Sequence, residues 1–254
     1  MERAEELIKK YDQLVSQEND EKTEQWLLET CSAYDAEYPD DISGRCALYN
    51  EAGSFYRHRD RAKESISWFL KAKSLMETPV QQAQSGCKSC YYTAEFPDEI
   101  YGYKETSFER TVNYANTINN LAGAYRLTGQ FEEAKELFQK AIEIYEPNEN
   151  IPESFLCSAF NNLALVFLDL GEEEAALVRF RKTLAILEKT DDNYFEKATT
   201  CANMAVAYYR LKQEREMEGC MRSAEQYYLA GGLENSPAFQ AFLNLKKMIG
   251  IDGN

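Results

Sequence analysis

The sequence predicts an all-α protein built as an array of antiparallel helix hairpins. The first observation is an internal repeat: the segment NNLAGAYRLTGQFEEAKELFQKAIEIYE, which begins at Asn119, is matched 42 residues later by NNLALVFLDLGEEEAALVRFRKTLAILE, which begins at Asn161. The second is that apolar residues in each copy recur at the spacing of one helix face. A single hairpin is unable to bury its apolar faces alone, so the copies are expected to stack on one another.

Each copy predicts two helices separated by a tight turn. In the copy at Asn119, the first apolar stripe is Ile118, Leu121, Ala122 and Tyr125, and the second is Phe131, Ala134, Phe138, Ala141 and Tyr145. Gly129 lies between the stripes and predicts a left-handed residue that ends the first helix. Alternation of rings with alanines lets paired helices approach closely.

Two further copies extend the array in both directions. An earlier copy begins at Asn50, which is 69 residues before Asn119, so the connection between them carries 27 residues beyond the 42-residue period. A later copy aligns Asn203 with Asn162 and has Lys212 in place of the turn glycine. We therefore predict a degenerate N-terminal hairpin or cap at 1–45, four repeats over 46–230 with an insertion near 78–106, and a C-terminal capping helix within 231–254.

This pattern resembles the tetratricopeptide repeat (TPR), a helical hairpin with a small residue and an aromatic in its first helix and alanine, aromatic, alanine in its second. The long period and the Asn-Asn-Leu-Ala opening resemble the repeats of kinesin light chains. The resemblance implies a right-handed superhelical array, a TPR-like α-solenoid. It also implies that the first helices of the hairpins line a concave groove that binds extended or helical peptides.

Helical phase places a polar face on the first helices, away from their apolar stripe. Asparagine amides on this face can donate to and accept from a ligand backbone, and arginines can bind carboxylates through two hydrogen bonds. The predicted groove residues are Asn50, Arg57, His58, Asn116, Asn119, Arg126, Asn161, Tyr209 and Arg210. For each arginine, an ordinary surface ion pair is the alternative interpretation.

The second asparagine of each pair has a different predicted role. Asn120, Asn162 and Asn203 are rotated by about 100° from the groove face. We expect these side chains to hydrogen-bond to the adjacent hairpin and so to fix the register between repeats.

The insertion near 78–106 is rich in aromatic residues, and two interpretations stay open: it folds across the groove as a lid, or it fills the gap between hairpins. Cys87 and Cys90 within it have CxxC spacing. A zinc site needs four ligands, and the sequence offers no second pair and a single histidine, His58. We therefore predict no metal site and no cofactor, and we interpret both cysteines as incidental reduced thiols.

The composition restricts the partners. A net charge of −15 opposes binding to nucleic acid or to anionic membranes. The charged N-terminal stretch does not resemble a signal peptide, and the seven cysteines do not suggest a disulfide framework. These features predict a cytoplasmic protein with reduced, mostly buried cysteines.

The predicted function is a non-catalytic interaction module that binds a protein or peptide, either acidic or with a free C-terminal carboxylate, in the concave groove. An intracellular peptide-sensing regulator that acts through a protein partner is the main alternative. An enzyme with its active site under the insertion ranks last, because the sequence shows no phosphate-binding loop, nucleophile elbow or metal-binding motif. The oligomeric state is left open.

Overall fold

The computed structural model describes residues 2–17, 19–77, 104–148 and 151–250. Within these ranges the protein consists of eleven helices and contains no strand, which confirms the predicted all-α class. The contacts divide the chain into two compact units, Met1–Ile144 and Tyr145–Asn254, a division that the sequence did not predict. Residues 78–103 of the predicted insertion, with Cys87 and Cys90, lie outside the described residues.

The helices follow the predicted hairpins. In the first unit they are α1 (Glu2–Val15), α2 (Asp20–Glu37), α3 (Ile42–Arg57), α4 (Ala62–Glu77), α5 (Lys104–Leu127) and α6 (Phe131–Tyr145), which ends at the boundary. In the second unit they are α7 (Glu153–Leu170), α8 (Glu173–Leu187), α9 (Tyr194–Arg210), α10 (Glu214–Ala230) and α11 (Pro237–Met248). The pairs α3/α4, α5/α6, α7/α8 and α9/α10 correspond to the four sequence copies. Turns of two to four residues make each pair antiparallel.

The predicted apolar stripes form the core. Ile118 and Leu121 on α5 are at most 1% exposed, and Phe138 on α6 is fully buried. The close approach of paired helices is clearest at Gly53 on α3, where a Cβ atom would lie 2.5 Å from Cε1 of Phe69 on α4. A small residue is therefore a packing requirement at this position.

Tight turns between paired helices use a left-handed residue, as predicted. Gly129 and Gly171 have φ angles of 78° and 76°. Asp60 and Lys212 occupy the corresponding turns with φ angles of 57° and 58° without being glycine. The backbone geometry of the turn is thus kept where the glycine is absent, at a cost of about 1–2 kcal/mol for an L-residue.

Two helix boundaries near the ends of the chain have clear sequence signals. α2 ends two residues before Pro39. Ser236 caps α11, because its side chain accepts a hydrogen bond of 3.1 Å from the backbone N–H of Phe239, and Pro237 occupies the first turn.

Among the described helices, α7 is long and apolar enough by length and composition to cross a membrane. It has 18 residues and a mean hydropathy of 1.2, and 44% of it is buried within the protein. Its eight buried side chains include Leu163, Ala164 and Phe167, which lie in the core of the second unit. This pattern is typical of a core helix in a repeat array.

Four of the five described cysteines are buried, as predicted. Cys31, Cys46, Cys157 and Cys201 are buried, and Cys220 is half-buried. Burial raises the pKa of Cys31 and of Cys201 to about 12 and that of Cys157 to about 11. Thiols with such high pKa values are poor nucleophiles at neutral pH.

Candidate functional site

Asn50 on α3 links two hairpins and also keeps an unpaired acceptor. Its Nδ2 donates hydrogen bonds to Oγ1 of Thr117 on α5 (2.8 Å) and to the carbonyl of Cys46 on its own helix (3.0 Å). The Thr117 hydroxyl in turn donates to the carbonyl of Asn113 (2.9 Å). The Oδ1 of Asn50 is buried and has no hydrogen-bond partner among the described residues.

The same unpaired acceptor occurs at two other asparagines of the predicted groove. Oδ1 of Asn119 on α5 and Oδ1 of Asn161 on α7 are buried without a hydrogen-bond partner in the described part of the chain. Leaving a buried carbonyl oxygen unpaired costs about 1–3 kcal/mol, so most such groups in proteins are satisfied. All three residues are only half-buried, so a rotation of the amide would present the oxygen to an N–H donor of a bound chain.

Asn120 has the structural role that the sequence predicted. Its Oδ1 accepts a hydrogen bond of 3.4 Å from Nη1 of Arg57 on α3, which belongs to the preceding hairpin. Asn162 behaves differently, because its Nδ2 donates to Oγ of Ser158 on its own helix (3.5 Å). The corresponding role of Asn203 stays a prediction.

Arg57 is a half-buried cation without a carboxylate partner. The part of the chain that the structure describes places no Asp or Glu within ion-pair distance of its guanidinium, whereas Arg59 and Arg61 pair with Asp20 and Glu24. Burial lowers the pKa of Arg57. Since its hydrogen bond to Asn120 leaves the positive charge uncompensated, a carboxylate would be a favourable partner.

Gly123 makes room for this arginine. A Cβ atom on Gly123 would lie 3.2 Å from Nη1 of Arg57, so any larger side chain at this point of α5 would displace the guanidinium. Helical spacing puts Gly123 on the same face of α5 as Asn119, but it does not indicate this role. The available signal was a glycine inside a helix, where the next copy has Leu165.

His58 ends α3 next to Arg57 and is largely exposed. Its partial burial, together with the positive charges of Arg57 and Arg59, holds the pKa of the imidazole below its usual 6.5. The ring is therefore mainly neutral at pH 7, and the positive charge at this end of α3 comes from the arginines.

Asn116 and Arg126 lie on the predicted polar face of α5, one turn before Asn119 and two turns after it. Both are half-buried, and both interact with other groups of the protein. Their predicted contact with a ligand stays a prediction.

The two predicted groove residues of α9 are placed differently from those of the first unit. Nη1 of Arg210 donates to the carbonyl of Leu168 at the end of α7 (2.5 Å) and lies 3.7 Å from Oε1 of Glu173 on α8. The ion-pair interpretation therefore describes Arg210. Tyr209 is 47% exposed and lines a cleft of about 360 Å³ together with Met217.

These groups can bind a ligand through hydrogen bonds and charge. Across the described ranges, no three His, Cys, Asp or Glu side chains are grouped to hold a metal ion. The first unit combines two unpaired amide acceptors, at Asn50 and Asn119, with one uncompensated cation at Arg57. Such a set suits a chain that offers N–H donors and a carboxylate.

Comparison with known proteins identifies the repeat. A family model described as tetratricopeptide repeat matches residues 115–146 and 156–190, which are the two central copies. Protein KINESIN LIGHT CHAIN-RELATED 3 of Arabidopsis thaliana is 29% identical over 125 residues, which make up 49% of this chain. The matched region spans only 19% of the length of that relative.

Solved structures share the fold at low sequence identity. BtubC (BKLC) from P. vanneervenii has a TM-score of 0.69 at 16% identity, and the alignment covers 90% of this chain and 82% of that one. The apo form of RapI has a TM-score of 0.73 at 14% identity, with coverage of 97% and 77%. At this level of identity the likeness establishes the helical-repeat architecture alone.

Proposed function

Because this chain belongs to the tetratricopeptide-repeat superfamily, with repeats similar to those of kinesin light chains, we propose that it is a non-catalytic module that binds a peptide segment along the first helices of its hairpins. The observation that carries the proposal is the unpaired Oδ1 at Asn50 and Asn119 in the first unit. Equivalent positions of two successive first helices, α3 and α5, thus each carry one such acceptor.

The asparagines recognise the backbone of the peptide in this account. Each Oδ1 accepts a hydrogen bond from a peptide N–H, which recovers the cost of burying an unpaired carbonyl. Backbone recognition holds a segment without reading its side chains, so another group must supply specificity.

Arg57 supplies that specificity. Its guanidinium is partly desolvated, is oriented by Asn120, and has no carboxylate within ion-pair distance in the described part of the chain. The proposed ligand therefore carries an acidic side chain or a free C-terminal carboxylate that pairs with Arg57. A cytoplasmic setting and a peptide-sensing role through a protein partner are compatible with the same groove and stay predictions.

Selection from a library of random peptides with free C-termini tests the proposal. Immobilised protein should enrich peptides that share a carboxylate at one position. Arg57→Gln and Asn119→Ala should each weaken the binding of an enriched peptide, by about 10–100-fold for the charged contact.

Two exposed positions outside the groove provide controls. Arg215→Gln and Asn244→Ala change an exposed arginine and an exposed asparagine of the second unit and should leave peptide affinity unchanged. Failure to enrich any peptide, or equal loss of affinity in the control variants, would overturn the proposal.

A further inference from the structure

A second surface of the first unit lies between α2 and α4. A cleft of about 580 Å³ opens there, with α3 contributing one wall residue. Its lining residues are Asp35 of α2, Tyr49 of α3, and Ser67, Leu70, Lys71, Ser74 and Leu75 of α4. The cleft is separate from the proposed peptide groove, because Asn50 contacts α5 whereas Tyr49 belongs to the buried cluster that joins α2 to α3.

One exposed apolar side chain lines this cleft, and a second lies on α2 two turns before the lining residue Asp35. Leu70 is 41% exposed, and so is Leu28 on α2. Leu28 lies seven residues before Asp35, so helical periodicity places both on the same side of α2. Leu28 and Leu70 are two of the three large apolar side chains that are exposed in the described part of the first unit; the third is Leu127. Leu70 is thus an exposed apolar side chain of the cleft itself, and Leu28 adds exposed apolar surface farther along α2.

The negative charge in the cleft is already compensated. Oδ1 of Asp35 accepts a hydrogen bond from Nε of Arg45 (2.8 Å), and Oδ2 accepts one from the hydroxyl of Tyr49 (2.5 Å). Both carboxylate oxygens are therefore occupied by partners within the protein, and Asp35 is a poor anchor for a cationic ligand.

The positive charge in the cleft is not compensated. Nζ of Lys71 lies 4.0 Å from the centre of the Trp68 ring, and among the described residues no carboxylate lies within ion-pair distance of it. This ammonium lines the same cleft as the exposed Leu70. Since the cleft combines the apolar side chains of Leu70 and Leu75 with one available cation, a partner that is both apolar and acidic would complement it.

We propose that this cleft docks an amphipathic helix of a partner protein, whose apolar face covers Leu28 and Leu70 and whose acidic residue pairs with Lys71. The groove between two helices, with a third helix below it, suits a helix that lays one apolar face into it. This surface is separate from the proposed peptide groove, so evidence against one proposal leaves the other unaffected.

Trp68 provides a direct reporter of occupancy. The chain contains two tryptophans, Trp26 and Trp68, so Trp26→Phe leaves Trp68 as the single tryptophan. The Trp68 ring lies beside Lys71 and 5.4 Å from the ring of Tyr49, which lines the cleft. A helix bound there should change the emission of Trp68.

Two synthetic helical peptides serve as probes of the Trp26→Phe protein. Both carry the same leucine stripe, flanked by glutamates in one peptide and by lysines in the other. The glutamate peptide should shift the Trp68 emission in a saturable way and bind about tenfold more tightly than the lysine peptide. Lys71→Glu should reverse this order, and Leu70→Ser should weaken both peptides.

Matched substitutions outside the cleft control for general effects. Leu229→Ser removes an exposed leucine of the second unit, and Lys63→Glu reverses an exposed charge near the start of α4. Neither should change the two affinities. If Lys71→Glu does not fold, Lys71→Gln replaces it. Lys71→Gln should remove the preference for the glutamate peptide without reversing it.

Three outcomes would overturn the proposal. One is the absence of a Trp68 response to the glutamate peptide. Another is an unchanged order of affinities in the Lys71 variants. The third is a concentration-dependent Trp68 shift of the protein alone, which would assign the cleft to a second copy of the chain.

Discussion

Nη1 of Arg57 on α3 lies 3.4 Å from Oδ1 of Asn120 on α5, so an arginine of one hairpin is oriented by the neutral amide of the next. This contact gives the adjacent asparagines of α5 different surroundings. Asn120 has its oxygen paired across the hairpins, and Asn119 has its oxygen buried and unpaired. The same contact leaves the charge of Arg57 available to a ligand.

Substitution of Asn119 and Asn50 should separate effects on peptide binding from effects on stability. Asn119→Ala removes an unpaired acceptor and a poor helix former, so the free energy of unfolding should not fall. Asn50→Ala removes the hydrogen bond to Thr117 and should lower that free energy by about 1 kcal/mol. Urea unfolding of both variants measures the difference; a marked loss of stability in Asn119→Ala would mean that its amide is structural.

Gly53→Ala should destabilise the first unit although alanine favours helices. The added methyl would lie 2.5 Å from the fully buried ring of Phe69, and overpacking of this kind costs about 1–3 kcal/mol. Gly219→Ala on α10 is the matched control, because the added Cβ would meet no neighbouring atom within 4 Å. This variant should gain up to about 1 kcal/mol in the free energy of unfolding. Thermal unfolding that ranks the two variants in the opposite order would refute this packing argument.

The turn at Lys212 offers a stabilising substitution. Lys212→Gly relieves a left-handed conformation at a φ angle of 58° and should raise stability by about 0.5–1 kcal/mol after the added chain entropy is subtracted. Asp60→Gly should gain less, because aspartate tolerates this conformation better than lysine. Chemical denaturation of both variants checks the ranking, and no gain at Lys212 would show that its backbone is unstrained.

Glu51 should make stability depend on pH. Burial and the nearby Asp12 raise the pKa of Glu51 above its usual 4.5, so its ionisation opposes folding, and stability falls as the pH rises through that raised value. Glu51→Gln should therefore raise the melting temperature at neutral pH, with a gain that shrinks as the pH falls towards 4.5.

Glu77 is the control with the opposite sign. Burial works against its ionisation, but hydrogen bonds from Lys73 and Tyr114 lower its pKa below 4.5, so its contribution to stability is lost as the pH falls. Glu77→Gln should lower the melting temperature at neutral pH. If both variants changed the melting temperature in the same direction across the pH range, the electrostatic explanation would be wrong.

Much of the fold could be predicted because it depends on local periodicity. The stripe of Ile118 and Leu121, the left-handed turn at Gly129 and the cap at Ser236 each follow from spacing within a few residues. The boundary between the two compact units, at Tyr145, depends on how the repeats pack, and a sequence pattern does not encode that packing.

For the candidate site, the sequence predicted only which face of the first helices carries it. Helical phase placed Asn119 and Asn120 at different angles, and the structure gives them different surroundings. Phase could not show that the Asn50 amide reaches Thr117 or that Arg210 contacts the end of α7, because side-chain reach between helices depends on their three-dimensional packing.

A double-mutant cycle between Arg57 and a selected peptide tests the central claim most directly. The affinities of wild-type and Arg57→Gln protein are measured by calorimetry for the peptide and for a version with its shared carboxylate replaced by an amide. A direct contact predicts a coupling free energy of about 1.5–3 kcal/mol between the two changes. A coupling near zero, with both changes weakening binding independently, would contradict the assignment of Arg57 as the carboxylate anchor.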